Sequence, residues 1–228
     1  MDALDAAPTV VAVVVTRNPG SWFEDTLASI AAQDYPGISI LVLDDGSSEP
    51  VTARVAGIVP SAFVRRETVS LGYGAAANLV LSMVQGATYY LFCHDDVALA
   101  PDAVEHLVAE AQRSGAGAVT PKLVSWDDHE RMLAIGMGLD RTGRPLDLIE
   151  PFELDQGQHD APRDVPFAPG ATLLVRATVF AAAGGFDPTL TAPEVRSGSI
   201  RSSSKTKTDR AQVGAVEAVK PQPKTRAV

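Results

Sequence analysis

The stretch Thr88-Tyr89-Tyr90-Leu91-Phe92-Cys93-His94-Asp95-Asp96-Val97 is aromatic and apolar until it stops at two adjacent carboxylates. Such a run, bounded by Gly86 on one side and acids on the other, suits a central strand buried on both faces of a parallel sheet. Ligands of open α/β sheets bind at the carboxyl ends of strands, so this strand delivers acids to the binding edge. Two neighbouring carboxylates repel one another unless a cation lies between them, and hard divalent ions such as Mg2+ or Mn2+ take oxygen ligands of this kind. The run therefore points to a metal-diphosphate site. The same acids also suit a solvated strand end or a cap on the next helix, and these ten residues alone favour neither.

The flanking sequence repeats the pattern. Thr9-Val-Val-Ala-Val-Val-Val-Thr16 is β-branched and apolar on both alternating faces, and it ends in the polar turn Thr16-Arg17-Asn18-Pro19-Gly20. Ser21 and Glu24 have capping-box spacing for a helix over about 22–33, with Phe23, Leu27, Ile30 and Ala31 on one face. Ile38-Ser-Ile-Leu-Val-Leu43 is a second strand ending in Asp44-Asp45-Gly46-Ser47-Ser48. Strand, helix and strand at this spacing imply a right-handed parallel crossover. A short strand is predicted at Ala62–Arg66, and a helix from the small residues after Gly72-Tyr73-Gly74 to near Gly86. Pro101 opens a helix through about Arg113 with Gly115 as its C-terminal cap, and Ala118–Val124 reads as a strand. Beyond 125 the pattern gives a hairpin turn at Asp140–Arg144, a loop from Pro151 to Pro169, and a segment Phe167–Arg176 leading into a short helix that ends at Gly184-Gly185-Phe186-Asp187.

With 228 residues, 46% of them hydrophobic, the chain can build one substantial core. The net charge of −9 argues against a general nucleic-acid binder. Its distribution is uneven: residues 195–228 hold eight Lys/Arg against two Asp/Glu, so this tail carries +6 and the preceding body −15. The tail has no aromatic residue and no sustained apolar periodicity, which predicts disorder over 194–228, with a flexible N-terminus over 1–8. A single cysteine, Cys93, excludes an intramolecular disulfide and any multi-cysteine metal site. The acidic start lacks a basic leader, and no apolar run approaches the ~20 residues of a membrane span. The expected location is the cytoplasm, including the inner face of the membrane as a peripheral site.

Three strand ends thus carry Thr16-Arg17-Asn18, Asp44-Asp45 and Asp95-Asp96 to one rim. Carboxylates there can accept from a base N–H or a ribose hydroxyl, and can hold a metal that neutralises a diphosphate leaving group. No Gly-x-x-x-x-Gly-Lys-Ser/Thr loop is present, and Gly72-Tyr73-Gly74 lacks the third glycine of a dinucleotide fingerprint.

Val-Val-Val-Thr16-Arg-Asn-Pro-Gly, Ser29-Ile-Ala-Ala-Gln33-Asp-Tyr-Pro36, Val42-Leu-Asp-Asp-Gly-Ser47, Gly72-Tyr-Gly-Ala-Ala-Ala-Asn78, His94-Asp95-Asp96 followed by Pro101, and Gly184-Gly-Phe-Asp187 occur in an order and spacing that resemble a family 2 glycosyltransferase, an inverting enzyme of the GT-A fold. The similarity covers roughly residues 9–193. It implies an α/β fold with a Rossmann-like, mostly parallel sheet flanked by helices, incomplete at the C-terminus. A nucleotide-sugar half would span about 9–125 and an acceptor-side part about 126–193. The resemblance further implies a nucleotide-diphosphate sugar as donor, a hydroxyl of a glycan, lipid or other acceptor, and Mn2+ or Mg2+ as cofactor. Thr16 and Asp45 would contact the base with Asp44, Arg17 and Asn18 nearby, Asp95 would serve the sugar-nucleotide, and Asp96 would hold the metal. Gly74 and Asn78 would position the nucleotide-sugar or, equally, pack a strand-to-helix junction. His94 replaces the first acid of the family's Asp-x-Asp motif, where a supporting role is favoured over ligation. Trp22 and Trp126 are candidate sugar platforms, with helix packing favoured for Trp22.

One departure stands out. After Gly-Gly-Phe-Asp187 the family presents an acidic pair whose Asp is the general base, whereas this chain reads Pro188-Thr-Leu-Thr-Ala-Pro-Glu194-Val-Arg196. Glu194 stands near the expected place without its partner, which suggests a truncation or frameshift near 194 and a chain that binds donor but transfers sugar poorly or not at all. The alternatives are a non-catalytic nucleotide-sugar binding or partner module and a nucleotidyltransferase, although the basic Gly-rich loop of the latter is absent.

Overall fold

A computed structural model describes residues 7–142, 144–151, 153–168, 170–187 and 211–220, the last by backbone alone. In chain order it comprises β1 (Val10–Thr16), α1 (Phe23–Ala31), β2 (Ile38–Asp45), α2 (Thr52–Ile58), β3 (Phe63–Glu67), α3 (Tyr73–Asn78), α4 (Val80–Met83), β4 (Tyr89–His94), β5 (Ala98–Leu99), α5 (Ala103–Ser114), β6 (Ala118–Ser125), β7 (Met132–Ala134), β8 (Met137–Leu139), β9 (Pro145–Asp147), β10 (Arg163–Val165), β11 (Thr172–Arg176), α6 (Ala177–Ala182) and β12 (Ala211–Lys220). Along the main sheet the order is β10-β12-β6-β11-β4-β1-β2-β3, with β8 and β9 forming a separate hairpin.

The strands β1, β2, β3 and β4 are mutually parallel, while β11 runs antiparallel between β4 and β6. Period-2 alternation divides the core. Val10, Ala12 and Val14 of β1 and Tyr89, Leu91 and Cys93 of β4 face a layer with Phe23, Leu27 and Ile30 of α1 and Val104, Leu107 and Val108 of α5. Val13, Val15, Tyr90 and Phe92 face the opposite layer, where Phe180 of α6 and Phe186 complete an aromatic cluster with ring centroids 4.9–5.0 Å apart. Burial on both faces explains why these strands read as unbroken apolar runs, each buried Val, Leu or Phe contributing about 1.5–3 kcal/mol.

Local expectations hold where a short-range cause exists. Gly115 caps α5 in the left-handed region at φ 69°, and Asp140 closes the β8–β9 turn by accepting from the N–H groups of Thr142 and Arg144. Gln33 links the end of α1 to the start of α5: its amide donates to the Ser29 and Ala100 carbonyls and its oxygen accepts from the Val104 N–H.

Other expectations are corrected. The Ser21–Glu24 capping box does not form; Trp22 occupies the cap position without a side-chain bond, and Glu24 pairs instead with Arg54 of α2, a helix that the sequence pattern missed. The helix predicted to reach Gly86 is split into α3 and α4, and the loop from Pro151 contains β10. Within the tail predicted to be disordered, Ala211–Lys220 is a strand, parallel to β6 and antiparallel to β5 and β10. Its ladder bonds come from strands far away in sequence, so local periodicity carried no trace of them. Residues 1–6, 188–210 and 221–228, with Glu194 among them, lie outside the described residues.

Candidate functional site

The register of the parallel strands assembles the rim. Thr16, the last residue of β1, lies level with Asp44, and Val15 lies level with His94, so the chain beyond His94 passes directly over Thr16. The Thr16 hydroxyl donates to Asp95 Oδ2 at 2.5 Å, which ties the first strand to the acidic turn. Asn18, at φ 50°, links the neighbouring loops: its N–H donates to Ser47 Oγ, and its side-chain oxygen accepts from the Ser48 N–H and hydroxyl. Arg17 is exposed beside them.

Asp44 and Asp45 hold different partners. The Asp44 side chain is fully buried; it accepts from the Ser47 N–H and faces Arg66 Nε at 3.4 Å, while Arg66 also donates to the Ser47 carbonyl. Arg66 was not among the predicted site residues. Its signal lies in cross-strand register, since Asp44 and Arg66 are partners on β2 and β3. Asp45 organises the segment after β3, accepting from Ser70 Oγ at 2.7 Å, the Leu71 N–H at 2.6 Å and the Gly72 N–H at 3.1 Å. Gly46 allows this approach: at φ 76°, a Cβ there would lie 2.8 Å from Ser70 N. Arg54, also missed, clamps the β1–α1 loop through the Pro19 and Gly20 carbonyls and Glu24. Its hydrogen bond holds the Glu24 carboxyl below the usual carboxylate range.

At the acidic turn, the His94 ring packs 5.0 Å from that of Tyr73, and His94 Nδ1 lies 3.8 Å from Asp96 Oδ1. The Tyr73 hydroxyl is buried without a hydrogen-bond partner among the described residues; burial, and then Cys93 and Asp95, push its pKa up. Burial also pushes the Cys93 thiol up to about 12, against the opposing hydrogen bond with Thr172. Both groups are therefore neutral at physiological pH.

Gly74 and Asn78 lie at a different junction. Asn78 Nδ2 donates to the Phe186 carbonyl at 2.9 Å and Asn78 Oδ1 accepts from the Phe186 N–H at 2.8 Å, so both ends of the amide grip the Gly-Gly-Phe-Asp turn. A Cβ on Gly74 would lie 3.3 Å from Phe186 Cβ. Of the two readings of these residues, this geometry accords with the packing junction.

Among the described residues, no three His, Cys, Asp or Glu side chains form a group able to hold a metal ion. Mg2+ and Mn2+ are commonly bound through one or two carboxylates plus substrate phosphates. Asp95, and Asp96 with 30% of its side chain exposed, supply such oxygens at the strand end. Nor is any helix of the described residues long and apolar enough to cross a membrane.

Residues 11–182 match the family model Glycosyl transferase family 2. The chain belongs to that family. It is 25% identical over 195 residues to the N-acetylglucosaminyl-diphospho-decaprenol L-rhamnosyltransferase of Mycobacterium tuberculosis, covering 77% of this chain and 64% of the relative. It is also 25% identical to the uncharacterized protein y4gI of Sinorhizobium fredii (81% of this chain, 21% of the relative) and to the uncharacterized glycosyltransferase RP339 of Rickettsia prowazekii (81% and 55%). The chain thus spans between about a fifth and two thirds of these relatives. Its fold is shared with S. aureus TarS 1-349, at a TM-score of 0.64 and 14% identity over 93% of this chain and 60% of that one. It is likewise shared with GalNAc-T7, solved with UDP, GalNAc and Mn2+, at a TM-score of 0.75 and 14% identity over 96% and 44%. The chain therefore has the mostly parallel GT-A type sheet of these structures.

Proposed function

We propose that the rim holds a nucleotide-diphosphate sugar with a divalent metal, in the geometry of an inverting, single-displacement transfer to an acceptor hydroxyl. The observation that carries this reading is the Thr16–Asp95 hydrogen bond, which brings the ends of β1 and β4 together beside the Asp44–Asp45 loop. The nucleoside end lies over Thr16, Arg17, Asn18 and the segment shaped by Asp45. Asp95, fixed by Thr16, orients the sugar-nucleotide, and Asp96 holds the metal. When bound, the metal supplies charge neutralisation to the departing diphosphate. The need for it is electrostatic, since a diphosphate brought beside Asp95 and Asp96 meets charges of its own sign.

An attacking hydroxyl needs a base, and none of the residues placed at this rim takes that role in the proposal. The sequence following Asp187 lacks an acidic pair, and Glu194 lies outside the described residues. We accordingly propose donor binding with poor or no turnover, which is also the behaviour of a nucleotide-sugar binding module. Calorimetric titration with uridine and guanosine diphosphates, with and without Mn2+, tests the donor site. Metal-dependent binding that Asp96→Ala abolishes is the expected result; a folded protein that binds neither nucleotide refutes the reading. Substantial turnover that survives Glu194→Ala would refute the claim of poor transfer.

A further inference from the structure

The main sheet ends at β3, which pairs with β2 on one side and, among the described residues, with no strand on the other. A bare edge offers a row of unpaired backbone N–H and C=O groups, a template for a further strand. β3 carries charge at Arg65, Arg66 and Glu67, but it begins with Phe63, 62% exposed, and two residues past its end stands Val69, 71% exposed. These are the two most exposed large apolar side chains among the described residues.

The order of these residues matters more than their exposure. Phe63, Arg65 and Glu67 share one face of β3. The other face holds Val64, packed on the layer of α1 and α5, and Arg66, which turns back to Asp44 and the Ser47 carbonyl. Beyond Glu67 the chain stays beside β2, since a Cβ on Gly46 would lie 3.1 Å from Val69 C. Two antiparallel strands related by a two-fold axis pair residue i with j and j with i. With the axis at Arg66, Phe63 lies opposite Val69 of a second copy and Arg65 lies opposite its Glu67, and each pairing occurs twice. Opposite charges and apolar neighbours at such cross-strand positions stabilise a sheet, whereas like charges oppose it. An axis at Arg65 would set two arginines together and Phe63 against Glu67; one at Glu67 would set two glutamates together and Arg65 against Val69. The two Arg66 side chains meet on the other face, each already matched by Asp44 of its own chain.

We propose that the β3 edges of two copies of this chain join antiparallel about Arg66, giving a two-fold dimer with one sheet running through both. The dimer does not depend on the donor reading. Sedimentation equilibrium of the full chain over a range of concentrations tests it. The wild type should show a monomer–dimer equilibrium that stops at two copies, because a two-fold pairing uses up both edges. Arg65→Glu and Glu67→Arg each turn both charge pairs repulsive, and each should weaken dimerisation about tenfold. Phe63→Ser should weaken it as well. An equimolar mixture of Arg65→Glu with Glu67→Arg should form a heterodimer of wild-type affinity, since every facing pair is then opposite in sign. Thermal midpoints, measured where the wild type is monomeric, should stay unchanged in both charge variants, because the Arg65–Glu67 pair within one chain lies at the surface. A wild type that stays monomeric at every concentration refutes the dimer and leaves the edge to a different partner. Charge variants that dimerise as the wild type does, or a mixture that binds no tighter than either variant alone, refute the pairing about Arg66.

Discussion

Replacing Asn78 by alanine separates a packing residue from a ligand residue. In the structure the amide makes two hydrogen bonds to the backbone of Phe186, a residue only 5% exposed whose ring packs on Phe92 and Phe180. Truncation removes both bonds and leaves a buried N–H and C=O without partners. At roughly 1–1.5 kcal/mol for each bond the loss is about 2–3 kcal/mol. For a domain of this size that lowers the thermal midpoint by about 5–10 °C. Circular dichroism melts and urea titrations of wild type and Asn78→Ala measure it directly. Gly185 supplies an internal control: it has φ 83°, and a Cβ there would lie 2.3 Å from Asn78 Oδ1. Gly185→Ala should destabilise the wild type by more than it destabilises Asn78→Ala, because only the backbone strain remains once the amide is gone. A variant that melts with the wild type but no longer binds uridine diphosphate with Mn2+ would refute the packing role and return Asn78 to the ligand.

Three further outcomes are expected. Gly46→Ala should cost about 1–2 kcal/mol, because the left-handed backbone and the 2.8 Å approach to Ser70 N both oppose a side chain; nucleotide affinity should fall with it as the Asp45-bound segment shifts. Lys122→Met should destabilise by about 1–3 kcal/mol, between the values for exposed and buried pairs, since Lys122 is 10% exposed and holds Asp155 and Asp160. The same pair sets an acid limb. Burial raises the Asp155 carboxyl, but the Lys122 hydrogen bond, the Gly157 N–H and the charges of Lys122 and His159 together outweigh it and hold the group below its ordinary 3.8. A depressed folded value contributes stability above 3.8 that is lost as pH falls through the folded pKa, so the urea midpoint should drop below about pH 4, and by less in Lys122→Met.

How much was legible follows the range of each interaction. The apolar runs of β1, β2 and β4, the acids at their ends and the Gly115 cap depend on residues a few positions apart, and each reads directly from the sequence. The capping box failed because Glu24 had a stronger partner thirty residues away in Arg54. The helix after Gly72 divides at Leu79, next to Asn78, whose amide is held by the backbone of Phe186, 108 residues away in sequence. Strand β12 was hidden for the same reason: its partners β6, β10 and β5 are remote in sequence, and small alternating Ala and Val residues become a strand only when an edge is there to receive them.

By itself, the sequence determined that this chain builds a sheet buried on both faces with carboxylates at its carboxyl edge, because side-chain hydrophobicity and period-2 alternation are local properties. Tertiary structure alone decided which acids are tied into the fold and which keep surface at the rim. Asp44 is buried against Arg66, Asp45 is occupied by the Ser70–Gly72 segment, and Asp96 keeps part of its surface at the rim. All are aspartates at strand ends in the sequence; their separation arises only when parallel register brings a cation and backbone N–H groups to two of them.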